Sequence, residues 1–252
     1  MIELKNISFA YKEISVLRGV DLCLAPGQSC ALLGKNGSGK TTLARIMARR
    51  LYPSEGELLL DGESYSSLSG KEFARRVAYF PQVRPVPEMN VYDYVAYGRY
   101  PYSGLSFHLG DEDKAAVERA LEFTNTKKFA ERRVSELSGG ERQEVYLAML
   151  IAQGSPYVIL DEPTTYMDVS NAFSFYSMLD TLKSEGKCII AVMHDVADAL
   201  RFFDRVALLD GGKIAYDGEP QGFAESKICE SVFGVSCERH GDTFVLSPKR
   251  GK

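Results

Sequence analysis

The sequence has no tryptophan, and it has only three histidines and five cysteines in 252 residues. The cysteines form no Cys-x-x-Cys pair and are scattered along the chain: Cys23, Cys30, Cys188, Cys229 and Cys237. This argues against a disulfide framework and a zinc site and favours reduced, mostly buried thiols. No apolar run approaches the roughly 20 residues that a helix needs to cross a bilayer.

An excess of positive charge is missing as well. The net charge is −4, so the chain lacks the basic footprint of nucleic-acid-binding domains, and we expect no nucleic-acid partner. The N-terminal stretch, residues 1–11, alternates like a strand and lacks the charged start and apolar block of a secretory signal. The composition therefore predicts a cytosolic globular protein, and any membrane role would come through a partner.

A glycine-rich segment, GKNGSGKT at residues 34–41, has the pattern of a phosphate-binding loop. The apolar run Ser29–Leu33 precedes it, and apolar residues at helical spacing follow it over Thr42–Leu51. Strand, glycine loop and helix are the context that this loop requires. Its glycines let successive backbone N–H groups face an anion at the positive end of the following helix. The segment predicts a nucleoside-triphosphate site.

The rest of the chain alternates strand patterns with helical ones. Residues Ile2–Tyr11 and Val16–Leu24 alternate apolar and polar side chains, which predicts an antiparallel hairpin that turns near Lys12. Further strand candidates are the apolar runs of Val77–Phe80, Val158–Leu160, Cys188–Met193 and Val206–Leu209. Strands that alternate with helices imply a mostly parallel sheet covered on both faces.

Residues 83 to about 136 differ in character from this alternation. They open with Pro85 and Pro87 and then carry helical patterns over Val91–Tyr97 and Asp111–Phe123. We interpret this stretch as an inserted helical lobe. From Ser226 onward the chain reads as a small helix followed by a hairpin.

A second motif, LSGGE at residues 137–141, precedes a helix-compatible run and an apolar strand that ends in Asp161 and Glu162. The order of phosphate loop, LSGGE and Asp-Glu resembles the ATP-binding cassette (ABC) ATPases. The resemblance implies an α/β fold: a P-loop NTPase core with a mostly parallel sheet, an N-terminal antiparallel β subdomain and the inserted α-helical lobe. It assigns residues 1–220 to the ATPase domain, with the lobe at about 83–136, and 221–252 to a small C-terminal extension.

The same resemblance implies ATP and Mg²⁺ as ligands. Lys40 would reach the β- and γ-phosphates. Mg²⁺ would be contacted by Thr41, Gln82 and Asp161, the last directly or through water. The nucleotide itself would be contacted by Tyr11, Val16, Gly34, Asn36, Gly37, Ser38, Gly39, Lys40, Thr41 and Thr42. Tyr11 would stack on the adenine with Val16 beside it, although an ordinary surface or core tyrosine is the competing interpretation.

Hydrolysis would depend on Glu162, His194, Lys40 and Gln82. Glu162 would accept a proton from the attacking water, and a positioned general base contributes about 10²–10⁴-fold in rate. His194 matches the family histidine that contacts the γ-phosphate and holds the water and Glu162 in place. Gln82 matches the glutamine that leads from the nucleotide into the helical lobe; a solvated side chain is its alternative. The other histidines, His108 and His240, lie in peripheral sequence and are expected to play no part.

In the resembling family, LSGGE acts on a second copy of the chain. Ser138, Gly139 and Gly140 would face the γ-phosphate bound to the partner subunit, at a helix that begins near Glu141. Asp168 would cross the same interface. Two copies would then form a head-to-tail dimer around two MgATP. The chain departs from the usual pattern at positions 144 and 149, a glutamate and a methionine where relatives commonly carry basic residues; we expect altered salt bridging there rather than lost catalysis.

Finer resemblance lies in YGRYPY at residues 97–102 and DEPTTYMD at 161–168. Both are similar to ATPases of importers for ferric siderophores, haem and cobalamin. This implies a permease partner bound through the helical lobe, an extracellular or periplasmic substrate-binding protein, and a location at the cytoplasmic face of the membrane. The alternative is a soluble ABC ATPase without a channel, such as an iron–sulfur cluster assembly factor. DNA-repair and translation cassettes are less similar, because the long coiled-coil insert of the first and the paired cassettes of the second are absent.

Overall fold

The computed structural model describes residues 1–103, 108–165, 167–241 and 243–248. Its strands are β1 (Ile2–Tyr11), β2 (Ile14–Leu24), β3 (Ser29–Leu33), β4 (Glu55–Leu60), β5 (Glu63–Ser64), β6 (Val77–Phe80), β7 (Tyr157–Asp161), β8 (Cys188–Val192), β9 (Arg205–Asp210), β10 (Lys213–Gly218), β11 (Val235–His240) and β12 (Thr243–Pro248). Tyr166, within the predicted DEPTTYMD motif, lies outside the described residues, as do four residues of the predicted lobe.

The α-helices are α1 (Lys40–Met47), α2 (Gly70–Arg76), α3 (Val91–Ala96), α4 (Asp111–Phe123), α5 (Gly139–Gln153), α6 (Val169–Ser184), α7 (Val196–Phe202), α8 (Pro220–Glu225) and α9 (Ile228–Phe233). Short 3₁₀ helices lie at Tyr97–Tyr102, Lys127–Phe129 and Val134–Glu136. No helix in the described part of the chain is long and apolar enough to cross a membrane.

The central sheet has the strand order β10-β9-β3-β8-β7-β6. All neighbours in it are parallel except β10, which pairs antiparallel with β9. Every residue of β3, β7 and β8 is buried, as expected for parallel strands covered by helices on both faces. Because the strands run in one direction, the loops after β3, β6, β7 and β8 gather at one edge of the sheet, and the predicted site residues stand in these loops.

A smaller antiparallel sheet, β2-β1-β4-β5, forms the N-terminal part. Its hairpin turns at Lys12, whose φ of 53° is left-handed, at the position that the alternation predicts. The inward side chains of β1 are buried and share a core with the apolar face of α1, which includes Leu43 and Ile46. This core places the tip of the β1–β2 hairpin beside the phosphate loop, where Val16 approaches Gly39.

The helical part of the molecule is built around α5. Helices α3 and α4 both pack against it, so the apolar core of the predicted lobe continues into a helix that follows residue 136. Arg99 fastens this packing, since its Nε donates to Asp113 Oδ1 (2.8 Å) and its Nη1 to the carbonyl of Ala152 (2.9 Å). Gly98 lies so close to α5 that a Cβ there would be 2.3 Å from the carbonyl oxygen of Met149. The glycine of the YGRYPY motif is therefore required by close helix packing.

One predicted helix has different bounds in the structure, and one helix of the structure has no prediction. The helix predicted over 42–51 begins at Lys40 and ends at Met47, because the chain turns into a left-handed conformation at Arg49 (φ 54°). Helix α2 was not predicted at all. Its signal is the capping box of Ser69 and Glu72, in which each side chain accepts a hydrogen bond from the other residue's backbone N–H.

The C-terminal segment packs on the central sheet rather than standing apart from it. Phe223, Cys229 and Val232 are buried in the same apolar core as the sheet. The hairpin of β11 and β12 lies against α7. The predicted boundary at residue 220 thus marks the start of α8 but not a break in the core.

Candidate nucleotide site

The phosphate loop follows β3 and enters α1 directly. Gly34, Gly37 and Gly39 all have positive φ, at 153°, 79° and 105°. A Cβ on Gly34 would stand 2.3 Å from the carbonyl oxygen of Leu209, whereas a Cβ on Gly37 would meet no atom within 4 Å. The loop is therefore closed on the side of the sheet and open on the outer side. An anion could approach its backbone N–H groups there, at the positive end of α1.

Two polar groups inside the loop fit a phosphate. Lys40 is only 5% exposed, and its ammonium donates to the carbonyl oxygens of Gly34 (2.7 Å) and Lys35 (3.0 Å). Burial lowers the pKa of Lys40, while the nearby Glu162 and Asp161 carboxylates raise it. The hydroxyl of Ser38 is buried and has no hydrogen-bond partner among the residues described. The Lys40 ammonium and the Ser38 hydroxyl, both at the glycine loop, are therefore suitable hydrogen-bond donors to phosphate oxygens.

The predicted metal ligands Thr41 and Asp161 are adjacent. Asp161 Oδ1 accepts a hydrogen bond from Thr41 Oγ1 (3.0 Å), and Oδ2 accepts one from the Tyr79 hydroxyl (3.1 Å). Asp161 is fully buried, and burial raises its pKa although both hydrogen bonds lower it. A buried carboxylate beside a hydroxyl is a set of hard oxygen donors, and this set fits Mg²⁺. Tyr79 was not singled out from the sequence; in β6 it is the only position that is not fully buried.

Gln82, Glu162 and His194 converge on one carboxylate. His194 Nε2 lies 2.5 Å from Glu162 Oε1, and Gln82 Nε2 donates to Glu162 Oε2 (2.7 Å). The three residues follow β6, β7 and β8, which are neighbours in the sheet, so the glutamate in the middle is held from both sides. The amide nitrogen of Gln82 faces the glutamate, whereas the sequence prediction used this side chain as a metal contact.

Glu162 has an unusual backbone conformation. Its φ is 53°, in the left-handed region that non-glycine residues seldom adopt. Its N–H donates to the carbonyl of Val192 (3.2 Å), which ties the residue to the end of β8. Strained positions of this kind cluster at functional sites. Its side chain is 10% exposed and that of His194 is 47% exposed, so the pair borders solvent on the histidine side.

The predicted adenine contacts lie at the edge of this site. Tyr11 is 43% exposed at the end of β1 and its ring meets Phe9 edge-on at 4.8 Å. Val16 borders the loop, since its Cγ1 would stand 3.0 Å from a Cβ on Gly39. Asn36 is exposed and Thr42 is buried within α1.

The LSGGE and Asp168 segments are both exposed helix N-termini. Ser138 Oγ accepts from the N–H of Glu141 (3.4 Å), while Glu141 Oε2 accepts from the N–H of Ser138 (2.8 Å), and α5 begins at Gly139. Gly140 follows in the first turn. Asp168 caps α6 by accepting from the N–H of Asn171 (2.8 Å).

Glu144, His108 and His240 lie outside these motifs. Glu144 on α5 has a raised pKa because it is partly buried, and no ion pair of it occurs in the part of the chain described. His108 is exposed, and His240 lies 3.6 Å from Glu238 on the C-terminal hairpin. Sequence reasoning also missed Arg84 and Gln143, whose hydrogen bonds lead to the carbonyl oxygen of Pro163, the residue after Glu162. No motif marks Arg84, while Gln143 stands two residues after LSGGE.

Comparisons with known proteins agree with this geometry. A profile of the ABC transporter family matches residues 17–165. The chain is 34% identical to the petrobactin import ATP-binding protein FpuD of Bacillus anthracis over 98% of this chain and 91% of that protein. It is equally 34% identical to the ferric enterobactin transport ATP-binding protein FepC of Escherichia coli strain K12, with 97% and 91% covered.

A solved dimeric structure of a bacterial ABC transporter cassette superposes with a TM-score of 0.78 at 27% identity, over 87% of this chain and 99% of that one. The P-loop core, the parallel sheet and the helices of the predicted fold class are thus confirmed. The chain therefore belongs to the ABC transporter family, as one of its ATP-binding ATPase cassettes.

Proposed function

We propose that this chain is the ATP-hydrolysing subunit of an importer for an iron chelate. The observation that carries the proposal is the convergence of Gln82, Glu162 and His194 beside the phosphate loop, at 2.7 and 2.5 Å. The named relatives that span nearly the whole chain import petrobactin or transport ferric enterobactin. An iron–siderophore complex is therefore the cargo that the comparisons favour over haem or cobalamin. The relatives named above are import or transport proteins and not iron–sulfur cluster assembly factors.

The site residues divide the work of hydrolysis. Lys40 exchanges its loop carbonyls for the β- and γ-phosphate oxygens, and the loop N–H groups and Ser38 hold the same oxygens. Thr41 and Asp161 would hold Mg²⁺, which neutralises phosphate charge when bound. Glu162 accepts the proton of the attacking water, and Gln82 and His194 fix the direction of its carboxylate. Tyr11 stacks on the adenine ring.

A second copy of the chain completes each site. Ser138, Gly139 and Gly140 present the N-terminus of α5 on the surface, where it can meet the γ-phosphate of the partner. Asp168 lies at the N-terminus of α6 and crosses the same interface. We therefore infer a head-to-tail dimer that closes around two MgATP and reopens after hydrolysis. The solved structure of a dimeric cassette supports a dimer of this chain.

The permease binds in a groove between the nucleotide core and the helical lobe. The groove has a volume of about 560 Å³. Aromatic side chains stand around it with large exposed fractions: Tyr52 at 70%, Tyr97 at 51% and Tyr100 at 56%. Such a surface suits an apolar helix from a partner. Bound there, the subunit lies at the cytoplasmic face of the membrane, in a system that includes a substrate-binding protein outside.

A Glu162→Gln variant tests the assignment of the base. We expect it to bind ATP with parental affinity, to accumulate as a dimer with MgATP, and to hydrolyse ATP about 10²–10⁴-fold more slowly. Phosphate release, equilibrium dialysis and light scattering on a sizing column measure these properties. Glu185→Gln, at the far end of α6, is the matched control. Hydrolysis at the parental rate in Glu162→Gln would show that another group is the base.

Co-purification tests the importer itself. The tagged chain is extracted from membranes in mild detergent, with and without MgATP, and its partners are identified by mass spectrometry. We expect a polytopic permease in near-equal amount. Recovery without any membrane protein would refute the importer and favour a cassette that works without a channel.

A further inference from the structure

A chain of hydrogen bonds ends on the backbone of the residue that follows Glu162. Arg84 stands two residues after Gln82, and its Nη2 donates to Gln143 Oε1 (2.7 Å). Gln143 in turn donates from Nε2 to the carbonyl oxygen of Pro163 (2.5 Å). Pro163 follows Glu162 directly, so these contacts fix the peptide between Pro163 and Thr164, one residue beyond the proposed base.

Arg84 is held rigidly at the start of this chain of contacts. Its guanidinium carbon lies 3.6 Å from the centre of the Phe80 ring and 4.9 Å from that of Tyr146. Burial lowers its pKa to about 10, so the group stays charged at neutral pH. Arg84 is half-buried. Arginines taken out of water are usually paired with carboxylates, but the bond of Arg84 goes to a neutral amide. Stacking between two rings leaves the planar group little freedom to turn.

The contacts join three parts of the molecule. Arg84 belongs to the segment after β6 that leads into the helical lobe. Gln143 is 8% exposed and stands on α5, little more than one turn from the LSGGE residue Ser138. The same segment acts on the glutamate at two points, since Gln82 holds its carboxylate and Arg84, through Gln143, holds the backbone of the next residue.

We propose that Arg84 is a positioning residue that sets the orientation of Glu162 through Gln143 and the Pro163 carbonyl. The inference rests on the proposed role of Glu162 as base. A shift of α5 against the segment after β6 breaks the contact and misaligns the carboxylate, which links the partner-binding lobe to the rate of hydrolysis. Arg84 is not among the contacts of the phosphate loop, so its loss lowers kcat and leaves ATP affinity unchanged.

The first test compares Arg84→Ala with Arg119→Ala, which removes an exposed arginine of α4. We expect kcat to fall about 10–100-fold in Arg84→Ala, since small misplacements of catalytic groups cost this much. The dissociation constant for ATP should stay within about twofold of the parental value, which corresponds to a change of less than about 0.4 kcal/mol in binding free energy. Arg84→Lys, which can still donate to Gln143 but cannot stack as a plane, should give an intermediate kcat and serves if the alanine variant does not fold.

Gln143→Glu separates positioning from plain stability. The new carboxylate forms an ion pair with Arg84 but repels the Pro163 carbonyl, so the contact to Arg84 survives and the contact to Pro163 is lost. We expect kcat to fall as in Arg84→Ala while the melting temperature is kept or raised. Parental kcat in this variant would overturn the proposal. It would show that the contact with the Pro163 carbonyl does not affect hydrolysis and that Arg84 has only a structural role.

A double variant distinguishes this proposal from the assignment of the base. If Arg84 acts through Glu162, Arg84→Ala should lower the residual rate of Glu162→Gln less than about twofold, because coupled sites are not additive. A further fall of tenfold would overturn the relay and leave the base intact. Parental hydrolysis in Glu162→Gln alone would instead refute the proposed function.

Discussion

Replacing Gly37 by alanine tests whether the open side of the phosphate loop faces the nucleotide. Gly37 has a φ of 79° and its Cβ would meet no atom within 4 Å. Gly62, in the turn between β4 and β5, has nearly the same φ of 81° and the same open surroundings. The two alanine variants therefore carry the same backbone cost, and only one of them stands where we place a phosphate.

The magnitudes follow from this geometry. Alanine in the left-handed region costs about 1–2 kcal/mol, and about 1 kcal/mol shifts the melting temperature of a chain of this size by about 2–4 °C. Both variants should lose stability by this amount. In Gly37→Ala, the added methyl also keeps the phosphate from the backbone N–H groups. A lost charge-assisted hydrogen bond is worth about 1.5–3 kcal/mol, so ATP should bind about 10–100-fold more weakly.

Differential scanning fluorimetry and equilibrium dialysis with ATP measure the two effects separately. Gly34→Ala should lose more stability than either variant, because its Cβ would stand 2.3 Å from the Leu209 carbonyl oxygen. Such overpacking costs about 3 kcal/mol. Equal ATP affinity in Gly37→Ala and Gly62→Ala would refute the reasoning. It would mean that the loop is open to solvent at Gly37 and not to a phosphate.

Two further predictions concern the metal and adenine ends of the site. Burial raises the pKa of Asp161, so its stabilising contribution is full below the unfolded value of about 3.9 and is lost as pH rises through the folded value. The melting temperature without Mg²⁺ should fall over this pH range in the parent but not in Asp161→Asn, and this variant should also lose Mg²⁺-dependent hydrolysis. The same dependence of melting temperature on pH in both proteins would contradict the argument that burial disfavours the charged carboxylate. Tyr11→Ala should raise the KM for ATP about 5–100-fold, the worth of one stacked base, whereas Tyr11→Phe should not; equal KM values would place the adenine elsewhere.

Much of the fold could be predicted because it is written in local patterns. Period-2 alternation gives the β1–β2 hairpin, and apolar runs give β3, β7, β8 and β9 within a residue or two. The end of α1 could not be predicted, because the left-handed turn at Arg49 overrides a helical pattern that continues to Leu51. Helix α2 was missed although the capping box of Ser69 and Glu72 is a local signal for it.

The candidate site divides in the same way. The motifs name Lys40, Glu162 and His194 without any structure, and parallel strands bring the last two together; their roles stay predictions. Tyr79 and Arg84 were missed because nothing local distinguishes them. Each matters only through a group far away in sequence, Asp161 for one and Gln143 for the other. Such contacts exist only once the sheet and α5 are packed.

The left-handed backbone at Glu162 has a consequence for engineering. Glycine adopts this conformation without the strain of about 1–2 kcal/mol that other residues bear. A screen that selects only for heat resistance would therefore favour glycine at position 162. If Glu162 is the base that we propose, the selected protein would be more stable but would hydrolyse ATP slowly. Stabilised libraries of this chain need the position locked before selection begins.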